Sequence, residues 1–169
     1  MTAQPLSGSL LDEATVRALR SEHHLLKAIG TYVGAMRWQL YLVGSFARPP
    51  RPETVHRAIG QWVLDFQRDY PDSFVYASAD RGKVDQRWNV HLLVGGCFSG
   101  KPPREPFRAW AMQRALSIAQ HCWSHGDVVR SQPYDARRGA VTYLARYWGD
   151  AEVPPTLYGT PLRRSRARP

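Results

Sequence analysis

The stretch Trp88-Asn89-Val90-His91-Leu92-Leu93-Val94-Gly95-Gly96 alternates its side chains between two faces. In an extended strand Val90, Leu92 and Val94 point one way, and Asn89, His91 and Leu93 the other. The first set is apolar and predicts packing against helices. The second sets Asn89 and His91 side by side on rigid backbone, where an amide oxygen and an imidazole are both able to bind a cation. Just upstream, Phe74 to Ala79 reads as another strand, and Asp80 to Arg87 as a polar turn region containing Gly82. The two strands therefore form an antiparallel hairpin. Asp80, at the end of the first, brings a carboxylate to the face of Asn89 and His91. An oxygen, amide and imidazole set suits Mg²⁺ or Mn²⁺, and the imidazole tilts the balance toward Mn²⁺. Taken alone, a polar pair on an open strand face is commonplace, and Asp80 serves equally as a plain turn residue.

Working outward, Arg37 to Phe46 is aromatic and β-prone and stops at Pro49-Pro50-Arg51-Pro52, which predicts a first strand. Glu53 to Tyr70 carries Val55, Ile59, Trp62, Val63, Phe66 and Tyr70 at helical spacing. Phe107 to Trp123 predicts a second helix, with Trp110, Ala111, Ala115, Ile118, Ala119 and Cys122 on its core side and Gly126 as its stop. Asp127 to Gln132 is a short strand and Pro133 to Gly139 a loop. The order β-α-β-β-α-β predicts an α+β, ferredoxin-like fold: an antiparallel sheet with helices on one face and the other face free. An N-terminal helix from about Ser9 to Gly30 and a C-terminal helix over Ala140 to Trp148 complete it. The expected division is one domain over 1–152, with its core at about 37–149, and a Pro- and Arg-rich basic tail over 153–169.

A chain of 169 residues that is 43% hydrophobic is sized for one packed domain. Its net charge of +9 points to a polyanionic partner, with nucleic acid the first expectation. Of the 23 basic side chains only Lys27, Lys83 and Lys101 are lysine; the rest are arginine, which grips phosphate bidentately and stacks on bases. An arginine-rich codon usage would give the same composition. Cys97 and Cys122 support neither a disulfide framework nor a four-cysteine zinc site. No signal segment or apolar run long enough to cross a bilayer is seen, so a soluble intracellular protein without a membrane partner is expected. His121-Cys122 with His125 is a weak zinc candidate at a helix end. The glycines around Ser99-Gly100-Lys101 lack the spacing of an ATPase phosphate loop.

In Ala140-Val141-Thr142-Tyr143-Leu144-Ala145-Arg146-Tyr147, a helix brings Tyr143, Arg146 and Tyr147 onto one face. By themselves, such tyrosines more often pack a core. Beside a metal site, however, a tyrosine can attack a phosphodiester while a neighbouring cation offsets the developing charge.

Together, Trp-Gln-Leu-Tyr-Leu at 38–42, Asn89-Val90-His91-Leu92-Leu93-Val94 and Tyr143-Leu144-Ala145-Arg146-Tyr147 resemble the HUH endonucleases, in particular the rolling-circle replication initiator proteins of plasmids and phages. In that family a His-hydrophobic-His strand precedes a Tyr-x-x-Lys helix. The resemblance spans about Arg37 to Gly149, with Asn89 in place of the first histidine and Arg146 in place of the lysine. It implies sequence- or structure-specific nicking and joining of single-stranded DNA through a 5′-phosphotyrosine intermediate. Tyr143 would be the nucleophile, Arg146 the cation and Tyr147 a second nucleophile or a packing residue, with Mn²⁺ or Mg²⁺ on His91, Asn89 and Asp80. It further implies single-stranded or hairpin DNA and host helicase and replication proteins as partners, in the cytoplasm of a bacterial or archaeal host. The alternative is a catalytically degenerate DNA-binding protein of the same fold. An RNA-binding module shares the element order, but strand 88–95 lacks its Lys/Arg-Gly-aromatic signature.

Overall fold

The computed structural model describes residues 24, 27, 28, 30–82, 86–98, 104–139 and 152–159. Its core is β1 (Trp38–Ser45), α1 (Pro52–Asp69), β2 (Phe74–Arg81), β3 (Trp88–Gly95), α2 (Phe107–His121) and β4 (Val128–Pro133), followed by a short β5 (Thr156–Tyr158). The strands form one antiparallel sheet in the order β4-β1-β3-β2-β5. The first four strands in that order, with α1 and α2 as the two crossovers, give the expected ferredoxin-like α+β arrangement.

Side-chain alternation divides the sheet as the sequence predicts. Leu40, Leu42, Val75, Ala77, Val90, Leu92 and Val94 join the core under the helices, while Tyr41, Val43, Tyr76 and Leu93 belong to a second apolar cluster on the other face. The phase of β1 is set by a bulge. Its register with β3 shifts between Trp38 and Leu40, and the Gln39 side-chain oxygen accepts from the Cys97 amide at 2.8 Å. Proline in the first turn and Glu53 start α1, and its buried stripe Val55, Ala58, Ile59, Trp62, Val63 and Phe66 carries the core. The Trp62 indole donates to the Ala119 carbonyl at 2.9 Å, tying α1 to α2. Truncating this buried tryptophan to alanine would cost roughly 3–5 kcal/mol.

Four details differ from the sequence expectations. Gly30 does not stop the N-terminal helix: residues 30–34 are helical, and Val33 at its end is buried in the open-face cluster. Trp110, expected on the core side of α2, is 61% exposed, because only Ala115, Leu116 and Ala119 of that helix are buried. Gly126 is not a helix stop, since α2 ends at His121. A side chain at 126 would instead sit 2.3 Å from the Ser45 carbonyl oxygen and 2.7 Å from the Ala47 amide nitrogen. Glycine lets segment 125–127 press against the end of β1, where Ser45 and Ala47 donate to Asp127 and His125. Finally, the expected tail contributes to the domain at its start: Val153 is buried in the helix-side core, and β5 pairs with Val75–Ala77 of β2. Apolar Val153 and Leu157 give these residues something to bury. The helix expected over Ala140 to Trp148 lies outside the described residues.

Candidate functional site

On the face away from α1 and α2, pairing fixes the candidate ligands in space. Asp80 of β2 lies directly opposite Asn89 of β3, and Ser78 opposite His91. Antiparallel partners share a face, so Asp80, Asn89 and His91 converge as the alternation predicts. The His91 Nε2 and Asp80 Oδ1 atoms are 3.3 Å apart. Both side chains are largely buried, which strengthens their electrostatic coupling.

The other ring nitrogen finds a partner on β1. Tyr41 pairs with Leu93 and Val43 with His91, which brings the Tyr41 hydroxyl to 2.9 Å from His91 Nδ1. The two rings lie nearly parallel, 13° apart with centroids at 6.2 Å. With Asp80 accepting from Nε2–H, Nδ1 accepts the Tyr41 proton; with Nε2 turned to a cation, Nδ1 carries the proton and donates to Tyr41. Either way the phenol fixes the plane of the imidazole. Burial pushes the Tyr41 phenol pKa above its ordinary value; nearby Arg130 works against that rise and Asp80 adds to it.

These groups line a cavity of about 430 Å³ whose far wall comes from β4 and the turn after it: Arg130, Gln132, Tyr134, Asp135 and Arg138. The turn is built around Asp135. Its Oδ1 accepts from the Arg137 amide at 3.0 Å and caps a 3-10 turn over Ala136–Arg138, which Gly139 closes at φ 67°. The side-chain and backbone hydrogen bonds from Arg137 hold the Asp135 carboxyl below its ordinary range. Arg138 reaches back to Gln132 Oε1 at 3.3 Å, so its guanidinium is held on the cavity rim. The site thus combines the His91–Asp80 pair on its floor with exposed Arg130 and Arg138 on its wall, Arg138 lying 3.8 Å from the Asp135 carboxylate.

His91, Asp80 and Asn89 are the residues here that could hold a divalent cation. Two cis ligands about 2.1 Å from an octahedral ion lie roughly 3 Å apart, close to the His91–Asp80 separation of 3.3 Å. Among the described residues no three His, Cys, Asp or Glu side chains cluster for a metal, so the third protein donor here would be the Asn89 amide. The weak zinc candidate does not form a site among those residues: the His125 ring packs against Phe46 and Trp123 instead.

Of the predicted site residues, the structure brings together Asp80, Asn89 and His91; Tyr143, Arg146 and Tyr147 lie outside the described residues. Nothing in the sequence marks Tyr41, Arg130, Gln132 and Arg138 as site residues, and only the alternation of Tyr41 with Leu40 and Leu42 signals its side of the sheet. No described helix is long and apolar enough to cross a membrane. Comparison of the chain with protein-family models, curated proteins and solved structures gives no match.

Proposed function

We propose that this chain nicks and rejoins single-stranded DNA through a phosphotyrosine intermediate, as in initiation of rolling-circle replication. The observation that carries the reading is the convergence of Asp80, Asn89 and His91 on the floor of a cavity rimmed by Arg130 and Arg138. Of the described ends of the segment bearing Tyr143, Arg138 lines this site, while Glu152 binds Arg81 at 2.7 Å on the other side of β2.

In the proposed reaction the strand enters with its phosphates against Arg130 and Arg138. The Tyr143 phenol gives up its proton and attacks the phosphorus; the P–O3′ bond breaks and the departing 3′ oxygen takes up a proton from solvent in exchange for the one released, leaving a 5′-phosphotyrosyl link and a free 3′-hydroxyl. Arg146 offsets the charge that develops on the phosphate. His91, Asn89 and Asp80 would hold Mn²⁺ or Mg²⁺, which supplies Lewis acidity toward a phosphate oxygen. Tyr41 keeps the imidazole oriented for that task. Because the phosphotyrosyl bond conserves the energy of the phosphodiester, a 3′-hydroxyl can later reverse the step. Its partners would be single-stranded or hairpin DNA and the helicase and replication proteins of a bacterial or archaeal host, in whose cytoplasm a plasmid or phage replicates.

One observation favours a second reading, a DNA-binding protein that has lost cleavage. Both nitrogens of His91 are engaged within the protein, and an amide stands at Asn89 where a histidine would bind metal more strongly. An RNA-recognition sheet is disfavoured, because the open-face aromatics Trp38, Tyr41, Phe74 and Tyr76 are all buried and offer no ring to a base.

The test is to incubate the protein with a labelled single-stranded origin library and Mn²⁺ and to look for a covalent adduct that survives denaturation. The expected adduct disappears in Tyr143→Phe and persists in Tyr147→Phe; the opposite pattern reassigns the nucleophile. Tight binding without an adduct supports the non-cleaving reading.

A further inference from the structure

The helix side of the domain, across the sheet from the cavity, leaves two large aromatic rings in water. On α2, Phe107 is 68% and Trp110 61% exposed. With Arg114 they follow at spacings of three and four, so the three form one stripe along the helix. The Arg114 guanidinium lies over the Trp110 ring, 5.6 Å from its centroid, which leaves the opposite ring face for another flat group. Exposed Arg104 and Arg108 flank the start of the stripe. A groove of about 240 Å³ runs beside it, walled by Tyr70, Phe98, Trp110 and Arg114, with Asp69 as the acidic residue among its lining.

Charge decides what fits this surface. From Phe107 to His121 the helix carries Arg108 and Arg114 and no carboxylate; among the described residues Glu105 precedes it, Asp69 lines the groove and Asp65 lies toward its far end near Cys122. A second copy of the chain would bring the same excess cations to this face. An apolar peptide would cover the rings and leave the guanidiniums without counter-charge. A single strand of nucleic acid meets both demands, since its bases offer flat π faces and its backbone a phosphate at each step.

We propose that the Phe107–Trp110–Arg114 stripe is a docking surface for single-stranded nucleic acid. Bases stack on Trp110 and Phe107, and Arg104 and Arg108 hold the adjoining phosphates. This surface is separate from the cavity and does not depend on the cleavage reading.

The test uses the full chain with oligodeoxyuridylate and oligouridylate carrying photoreactive iodouracil, with affinity read by fluorescence anisotropy and crosslinks mapped by peptide mass. Crosslinks are expected in the peptide containing Trp110. Trp110→Ala should weaken binding at least about fivefold, the lower range for losing one stacked base, while Trp110→Phe keeps a ring and most of the affinity. Arg108→Ala should reduce the logarithmic salt slope by about 0.7, the value for one phosphate contact on a single strand. Equal losses for both polymers show that bases and phosphates alone are read; a loss confined to one shows that the sugar is read as well. Unchanged affinity in a folded Trp110→Ala protein, with crosslinks only at the cavity, overturns the proposal. So does sedimentation showing that the same substitution dissociates a dimer.

Discussion

Replacing Tyr41 by phenylalanine removes one oxygen and leaves the ring that stacks on His91 in place. The lost contact is the 2.9 Å hydrogen bond to Nδ1. A bond of this kind contributes roughly 0.5–1.5 kcal/mol net, and stranding a buried partner raises the loss toward about 3 kcal/mol. Tyr41 and His91 are 8% and 7% exposed, yet both line a cavity of about 430 Å³ into which water can reach. A water can therefore replace the phenol in part, and the expected destabilisation is about 1–1.5 kcal/mol. The effect on cation binding should be larger in proportion. Removing the group that orients a ligating imidazole typically lowers metal affinity about 10–100-fold. Urea denaturation measures the first quantity, and titration with Mn²⁺ followed by paramagnetic resonance of the free ion measures the second. Lower stability with undiminished Mn²⁺ affinity would show that the Tyr41–His91 contact only builds the fold. An unchanged denaturation midpoint together with unchanged affinity would refute the argument entirely.

Three other outcomes can be checked. Gly126→Ala places a methyl 2.3 Å from the Ser45 carbonyl oxygen, so segment 125–127 must move off the end of β1; the loss of its two backbone hydrogen bonds and local packing should cost about 2–4 kcal/mol in a thermal or urea melt. Burial raises the Cys97 thiol from 9.0 to about 12. Because the folded value lies above the unfolded one, this contribution is complete below pH 9 and is lost as pH rises toward 12, amounting to about 3 kcal/mol between pH 8 and pH 11. Cys97→Ala should flatten urea stability over that interval; an equally steep fall in the variant assigns the alkaline loss to other groups, among them Tyr76, also raised to about 12 by burial. Asn89→His should raise Mn²⁺ affinity about tenfold or more, because imidazole is a stronger ligand than an amide for this ion; calorimetry showing no gain would remove residue 89 from the proposed coordination.

The fold was legible because its signals are local. Strand 88–95 declares both its faces in its own alternation, and α1 declares its core stripe from Val55 to Phe66. The convergence of Asp80, Asn89 and His91 followed from the hairpin, whose strands are neighbours in the chain. Tyr41 was not legible as a site residue because it meets His91 through the pairing of β1 with β3 and a bulge at Gln39 that sets its phase. Arg130 and Arg138 reach the cavity through the pairing of β4 with β1 and a turn organised by Asp135, which a short polar strand gives no means to anticipate. Trp110 was misread because helical spacing reports a stripe but not whether the sheet below is wide enough to cover it. Gly126 was misread because a close approach to β1 leaves no mark distinct from a cap.

With β5 laid along Val75–Ala77 of β2, the margin of the sheet on that side passes from a strand of eight residues to one of three, Thr156–Tyr158. Among the described strands that leaves β4 at the other margin, where Pro133 has no amide hydrogen to donate, Arg130 adds a charge and the register shifts beside Val43 and Gly44. Fibrillar growth by strand addition needs two complementary free borders on every copy. These strands offer a border of three residues on one side and an irregular, proline- and arginine-bearing one on the other, so stacking of copies through them gains few backbone hydrogen bonds and a concentrated solution should resist polymerising by that route.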